Sequence, residues 1–312
     1  MEQTKKTILD GNSIGFLAQQ CGAKLKAGEI ETTAVFGFVQ IVRDIVSKSR
    51  GSGILVLWDG YSWRKQESTE YKANRGSTKA NREMRATYKS QGKYIRKCLT
   101  TLGITQAVAG NLEADDLAAI LSQRYVDKGC TVQLYTRDRD WLQMVQPGVV
   151  WKDHQDHNRI SHKKFAEETG YPDRYVFAEA KALTGDVSDN IKGVGQIGDV
   201  KAKLILEIWG SVPNFLEDPS PAETWKQTQS GKFPKAMNDF HSLDERKDKW
   251  KENLRMMQLV WPDQLPEPEN LRVVKGNFDP EAFGEICKEL AFHSFLKDMD
   301  RFIHPFTPIT GD

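Results

Sequence analysis

Gly53-Ile54-Leu55-Val56-Leu57-Trp58-Asp59-Gly60 is an apolar run closed by an acid and a turn glycine, and its reading decides the fold. A short continuous apolar run bounded by turn residues reads as a strand buried on both faces. Thr7-Ile8-Leu9-Asp10-Gly11 repeats the pattern earlier in the chain. Thr131-Val132-Gln133-Leu134-Tyr135-Thr136 is a third clear strand, running into Asp138, and Ala107-Val108 a shorter one. Helical periods separate them: Val35, Phe38, Val39, Val42, Ile45 and Val46 on one stripe, then residues 114–128 with Gly129 as C′ residue. Strands alternating with helices predict an α/β fold with a mostly parallel sheet and helices on both faces. Beyond about residue 165 the strand signal fades. Segments 178–183, 200–209, 247–260, 280–290 and 292–303 read as helices, while 213–234 and 262–270 read as proline-punctuated loops. The expected division is an α/β domain over 1–165 and a helical domain over 166–312.

The 312 residues suffice for two domains, and 39% hydrophobic with 28% charged residues excludes disordered and collagen-like classes. No run approaches the roughly 20 apolar residues of a membrane span, and Asp10 interrupts any secretory h-region. Cys21, Cys98, Cys130 and Cys287 form no CxxC pair and read as reduced thiols of a cytosolic protein. The net charge of +1 hides a segregation. Residues 61–97 hold eleven basic and three acidic side chains, a local +8 that leaves −7 for the rest. Such a field points to a polyanion on one segment and cations on another.

The acids explain the second half of that statement. Asp10 and Asp59 each close a strand, Glu113, Asp115 and Asp116 open a helix after a short strand, and Asp138 and Asp140 follow the third strand. Ligands of open parallel sheets bind at the carboxyl ends of the strands, so these seven acids are expected on one rim. Asp186 and Asp189, three apart, would share a face if helical. One like-charge pair about 4 Å apart costs about 4 kcal/mol at an effective dielectric of about 20. Such a cluster therefore calls for protonation or a cation, and oxygen-only donors select Mg²⁺ or Mn²⁺. Two such ions are the standard apparatus for phosphodiester hydrolysis. Taken singly, each Asp is better explained as a turn former or helix N-cap, and only the five acidic sites together, each at an element end, outweigh that reading.

In the basic segment, Lys72, Arg75, Arg82, Arg85, Lys89, Lys93 and Arg96 are suited to phosphates. Tyr61, Trp63, Tyr71, Tyr88 and Tyr94 interleave with them as faces for unpaired bases, and the competing reading is a solvated helix hairpin. Gly193-Val194-Gly195-Gln196-Ile197-Gly198 matches G-x-G-x-x-G but lacks the preceding strand of a dinucleotide site and the other signatures of a kinase. It reads instead as a turn between two helices, over 184–210, whose amides and following helix start suit a DNA phosphate. His154-x-x-His157 has no further ligands nearby and reads as polar loop, and the charges of 244–252 as a solvated helix face.

Trp58-Asp59-Gly60, Tyr71-Lys72-Ala73-Asn74-Arg75, Glu113-Ala114-Asp115-Asp116, Thr136-Arg137-Asp138-Arg139-Asp140 and Gly185-Asp186-Val187-Ser188-Asp189-Asn190, in this order after Asp10, resemble the flap endonuclease / 5′-nuclease superfamily. The likeness spans about residues 5–217 and is nearest in style to bacteriophage 5′–3′ exonucleases and the 5′-nuclease domain of bacterial DNA polymerase I. It implies a PIN/resolvase-like fold with a basic helical arch near 61–97. It also implies metal-dependent hydrolysis of DNA from 5′ ends, flaps or nicks, with RNA–DNA hybrids as an open alternative, by a monomer acting in replication or repair. By matching positions, Asp10, Asp59, Glu113, Asp115, Asp116, Asp138, Asp140, Asp186 and Asp189 would hold two Mg²⁺ or Mn²⁺. Lys72 and Arg75 would position the scissile phosphate, with Tyr71 stacking on a base. Gly193, Gly195, Gly198 and Lys201 would contact duplex backbone, at a turn where the family often holds K⁺ through carbonyls. Here Gln196 replaces that turn's middle glycine, and its usual lysine is Val200, with Lys201 displaced by one. A catalytically silent junction binder and a PIN-type RNase are the alternatives.

Overall fold

The structure, a computed structural model, describes residues 4–21, 24–49, 52–153 and 158–309. Its contacts gather the chain into two compact units, one of Met1–Trp63, Gly76–Ser161 and Pro262–Asp312, the other of Arg64–Arg75 and His162–Trp261. The expected single cut near residue 165 is therefore replaced by a first unit built from three stretches of chain.

The first unit holds a seven-stranded sheet. Its strands are β1 (Lys5–Asp10), β2 (Ser52–Trp58), β3 (Thr105–Val108), β4 (Thr131–Tyr135), β5 (Val149–Lys152), β6 (Arg159–Ser161) and β7 (Arg272–Val274), in the order β7-β3-β2-β1-β4-β5-β6. The five central strands pair in parallel, and β6 and β7 close the two edges antiparallel. Ile8, Leu9, Val56, Leu57 and Leu134 are buried, as runs apolar on both faces require. Around the sheet lie α1 (Gly11–Cys21), α2 (Thr33–Lys48), α3 (Lys79–Thr101) and α4 (Ala114–Asp127).

The C-terminal segment returns to this unit for an apolar reason. Phe283, Ile286, Phe292, Phe295 and Phe306 share one buried cluster with Val35, Phe38, Val42 and Ile95. Phe295 stacks on Phe36 at 4.6 Å and on Phe302 at 4.0 Å between ring centroids. The expected single helix over 292–303 is two short ones, His293–Leu296 and Met299–Ile303, because the Asp298 carboxylate caps the second by accepting from Arg301 N.

In the second unit α5 (Arg174–Thr184), α6 (Asp199–Trp209) and α7 (Asp244–Met257) enclose Leu183, Val194, Ile205, Phe215, Phe240 and Trp250. Asn253 of α7 donates to Ala182 O and Lys192 O, both at 2.9 Å, fixing α7 to the start of the glycine turn. The stretch 213–234, read as a loop, contains helices Val212–Glu217 and Pro221–Thr228. Proline there sits in the first helical turn, where its missing N–H costs nothing. Among the described residues no helix is long and apolar enough to cross a membrane.

Candidate functional site

The chain builds β2 and β3 on one side of β1, then β4 and β5 on the other, so the carboxyl ends of β1 and β4 flank the topological switch point. Asp10 ends β1, and the pairing of Leu9 with Tyr135 sets it beside Thr136. The Thr136 hydroxyl donates to Asp10 Oδ2 and Ser13 N donates to Oδ1, each at 2.9 Å. Burial pushes the Asp10 pKa up and the charge of Asp59 adds to it, so that despite these hydrogen bonds it reaches about 6. The Tyr88 phenol is also raised, by burial and then by Asp10, while Arg96 opposes the rise. These four groups feel one another's charge at the same edge of the sheet.

The other acids of this unit join through helix ends and short turns. Ala114 N, at the positive end of α4, donates to Asp59 Oδ1 at 3.0 Å. Glu113 is the N-cap residue of α4, and its N donates to Oδ2 of the wholly buried Asp116 at 3.2 Å, so the two acids close a capping box. The Trp141 indole N–H donates to Asp115 Oδ1 at 2.7 Å. Asp138 N donates to Thr136 Oγ1 at 3.0 Å, and Asp140 N to Asp138 Oδ1 at 2.8 Å. Thr136 thus ties Asp10 to Asp138, a role that its place within the quoted motif did not signal.

Among the described residues no three acids, histidines or cysteines form a group that could by itself hold a metal ion. The donor chemistry nonetheless suits Mg²⁺, which keeps several waters, takes one or two carboxylates and completes its shell with substrate phosphates. Asp10, held near the limit of ionisation by burial and by Asp59, is a carboxylate that a cation would favour.

The basic segment is not one element. Arg64–Arg75 belongs to the second unit, whereas Lys79–Thr101 is the single helix α3 of the first. Tyr88, Gln91, Tyr94, Ile95, Cys98 and Leu99 form its buried stripe, leaving Arg82, Lys89, Lys93 and Arg96 exposed and Arg85 half-buried. The Arg96 guanidinium lies over the Trp58 ring at 4.9 Å, next in sequence to Asp59. The expectation of aromatic faces for bases is corrected: Trp63, Tyr71, Tyr88 and Tyr94 are buried, and Tyr61 alone of the five is exposed. Helical spacing turns Tyr88 and Tyr94 inward, and Lys72 Nζ covers the Tyr71 ring at 4.7 Å.

In the second unit Gly185–Asp186 and Ile191–Lys192 pair as a two-residue antiparallel hairpin, so Asp186 and Asp189 share no helix face. Asp186 Oδ1 accepts from Ser188 N and Ser188 Oγ, both at 2.7 Å, and Lys181 Nζ lies 3.4 Å from Oδ2. Burial would raise its pKa, but the Ser188 bonds and Lys181 outweigh that and hold it low. Asp189 accepts from Arg75 at 2.6 Å and from the Tyr71 hydroxyl at 3.1 Å.

The glycine turn does lie between two helices, α5 and α6. Gly193 fits because a Cβ there would meet Thr184 O at 2.4 Å, and Gln196 takes the left-handed region at φ 63°. Gly195 O accepts from Arg246 Nη1 and Gln196 O from Lys201 Nζ, both at 2.9 Å. Arg246 lies in the charge run read as a solvated face, so its contact is a correction that only the folded α7 could reveal. Gly198 is the N-cap residue of α6. His154 and His157 lie outside the described residues.

Residues 5–170 match the family described as 5′–3′ exonuclease, N-terminal resolvase-like domain. The chain is 27% identical over 297 residues to a 5′–3′ exonuclease of Aquifex aeolicus, covering 94% of each. It is 31% identical over 223 residues to DNA polymerase I of Caldicellulosiruptor bescii, where the match covers 69% of this chain and 25% of that one. The flap endonuclease of bacteriophage T5, solved as a variant with DNA and metal ions, superposes with a TM-score of 0.63 at 18% identity over 98% of both chains. At that identity the likeness is one of fold.

Proposed function

The chain belongs to the 5′–3′ exonuclease family, and from that premise we propose that it is a structure-specific 5′-nuclease hydrolysing phosphodiesters of DNA at 5′ ends, flaps or nicks. The observation that carries this reading is the rim of acids at the switch point of the parallel sheet, where burial and Asp59 lift Asp10 to about 6. Asp10 and Asp59, with Glu113, Asp115, Asp138 and Asp140 beside them, would hold two Mg²⁺ or Mn²⁺. Bound there, the ions would supply a nucleophilic hydroxide at neutral pH and neutralise charge on the leaving oxygen. The protein's own part is orientation. Thr136 fixes Asp10 and Asp138 relative to each other, the α4 N-terminus fixes Asp59, and Trp141 fixes Asp115. Lys72 and Arg75 engage the scissile phosphate and oppose its growing charge, while the exposed cations of α3 bind the phosphate backbone.

The experiment is cleavage of 5′-labelled flap, nicked and RNA–DNA hybrid duplexes in Mg²⁺ or EDTA, with product lengths read on gels. Asp138→Asn is expected to abolish cleavage while keeping flap binding within about threefold, because it removes a metal-site charge and leaves the basic surface intact. Normal turnover by this variant at saturating Mg²⁺ would reject the assignment.

A further inference from the structure

Residues 70–75 and 187–190 lie more than a hundred positions apart, yet inside the second unit they are stapled together through their backbones. Lys72 N donates to Asp189 O, Asn74 Nδ2 to Val187 O and Asn190 Nδ2 to Glu70 O, all at 2.8 Å. Lys72 and Asn190 both take the left-handed region, at φ 56° and 59°. That conformation is rare for a lysine, and such outliers persist where surrounding contacts over-determine them. The side chains then converge on a single carboxylate. Arg75 Nη2 is 2.6 Å from Asp189 Oδ1, the Tyr71 hydroxyl donates to Oδ2, and Lys72 Nζ stands 3.6 Å from Oδ2. The Lys72 side chain is buried and that of Asp189 mostly so, while Arg75 is about one-third exposed, so solvent screens the Lys72 contact less than the Arg75 one.

A carboxylate already facing two cations and a phenol is a poor ligand for a divalent ion, which would approach against the positive charge of Lys72 and Arg75. Asp186 differs, since its Oδ1 is held by neutral donors and it faces one lysine at 3.4 Å. We propose that Asp189 is a positioning residue, the counter-ion that fixes Lys72 and Arg75 in place, and is not a metal ligand. What the oriented pair then does rests on the 5′-nuclease reading; the counter-ion role does not. Arg75 meets one carboxylate oxygen while Lys72 and Tyr71 meet the other, so rotation of the carboxylate would disturb all three.

The test compares Asp189→Asn, Asp186→Asn and Arg75→Gln in the full chain. Amide hydrogen exchange in EDTA needs no activity: Asp189→Asn and Arg75→Gln should each speed exchange of residues 70–76 at least about tenfold, and Asp186→Asn should not. In single-turnover cleavage of a 5′ flap, Asp189→Asn should slow the reaction yet leave the Mg²⁺ half-saturation within about twofold of the parent chain. The Asp189→Asn/Arg75→Gln double variant should be no slower than the slower single one, since both break the same contact. A Mg²⁺ half-saturation raised about tenfold or more in Asp189→Asn overturns the proposal. So do rate losses that multiply in the double variant, or unchanged exchange at 70–76. A parent chain inactive on every 5′-ended substrate overturns the nuclease reading instead, and the exchange measurement still decides the counter-ion.

Discussion

Removing the charge of Asp10 tests the rim directly, without any metal. Its pKa moves from the ordinary 3.8 to about 6, first through burial and then through Asp59. An acid whose pKa is higher in the folded state binds its proton more tightly there. It therefore contributes stability that is complete below about pH 4 and is lost as pH rises through about 6. A shift of about two units at 1.36 kcal/mol each makes the metal-free protein roughly 3 kcal/mol less stable at pH 8 than at pH 4 from this group alone. Asp10→Asn keeps the acceptor for Ser13 N and has nothing to ionise. In urea unfolding in EDTA from pH 4.5 to 8, the parent chain should lose stability relative to Asp10→Asn by about 2 kcal/mol, most of it between pH 4.5 and 6. Added Mg²⁺ should stabilise the parent at pH 8 and leave Asp10→Asn nearly unmoved. Parallel pH profiles for the two proteins would refute the reasoning, because they would mean that neither burial nor Asp59 acts on this carboxyl.

Lys72→Ala should slow single-turnover flap cleavage by about a hundredfold while changing flap affinity little, as expected of a group that opposes transition-state charge; a pure binding defect rejects that role. Gly60→Ala should lower stability by about 3 kcal/mol or more in urea unfolding, since a Cβ there would sit 1.8 Å from Ala109 O while Gly60 N is bonded to Leu112 O. A midpoint unchanged by this substitution would mean that the Asp59 turn is far softer than its hydrogen bonds imply. At the glycine turn Arg246 and Lys201 already occupy two carbonyls, so duplex affinity measured by anisotropy should be the same in K⁺ and Na⁺ at equal ionic strength. A tenfold preference for K⁺ would show that the turn still takes the ion.

The central sheet was legible because β1, β2 and β4 are buried on both faces, and such strands write themselves as unbroken apolar runs. The edges were not. Arg272–Val274 is three exposed residues following a proline-rich stretch, and only its pairing with β3 makes it a strand. The rim acids were legible because strand ends and helix starts carry local marks, and Asp10 and Asp59 lie where those marks put them. Asp186 and Asp189 had no such mark. Their spacing suited a helix as well as a hairpin, and the Lys72 and Arg75 that face Asp189 stand over a hundred residues away in sequence. Side-chain direction was hidden for the same reason: Tyr71, Tyr88 and Tyr94 look like stacking faces in a basic stretch until helix phase and the Lys72 contact turn them inward.

The return of residues 262–309 to the first unit has a consequence for how the chain matures. Phe295 and Phe306 complete a core begun by Val35 and Phe38, and β7 covers the edge of β3. During synthesis the opening α/β stretch therefore waits, with apolar surface and one sheet edge bare, until the whole intervening unit has left the ribosome. Exposed edges and apolar faces of this kind are where nascent chains aggregate. Ribosome-stalled chains ending near residue 261 should accordingly engage chaperones more than chains extended past Phe306.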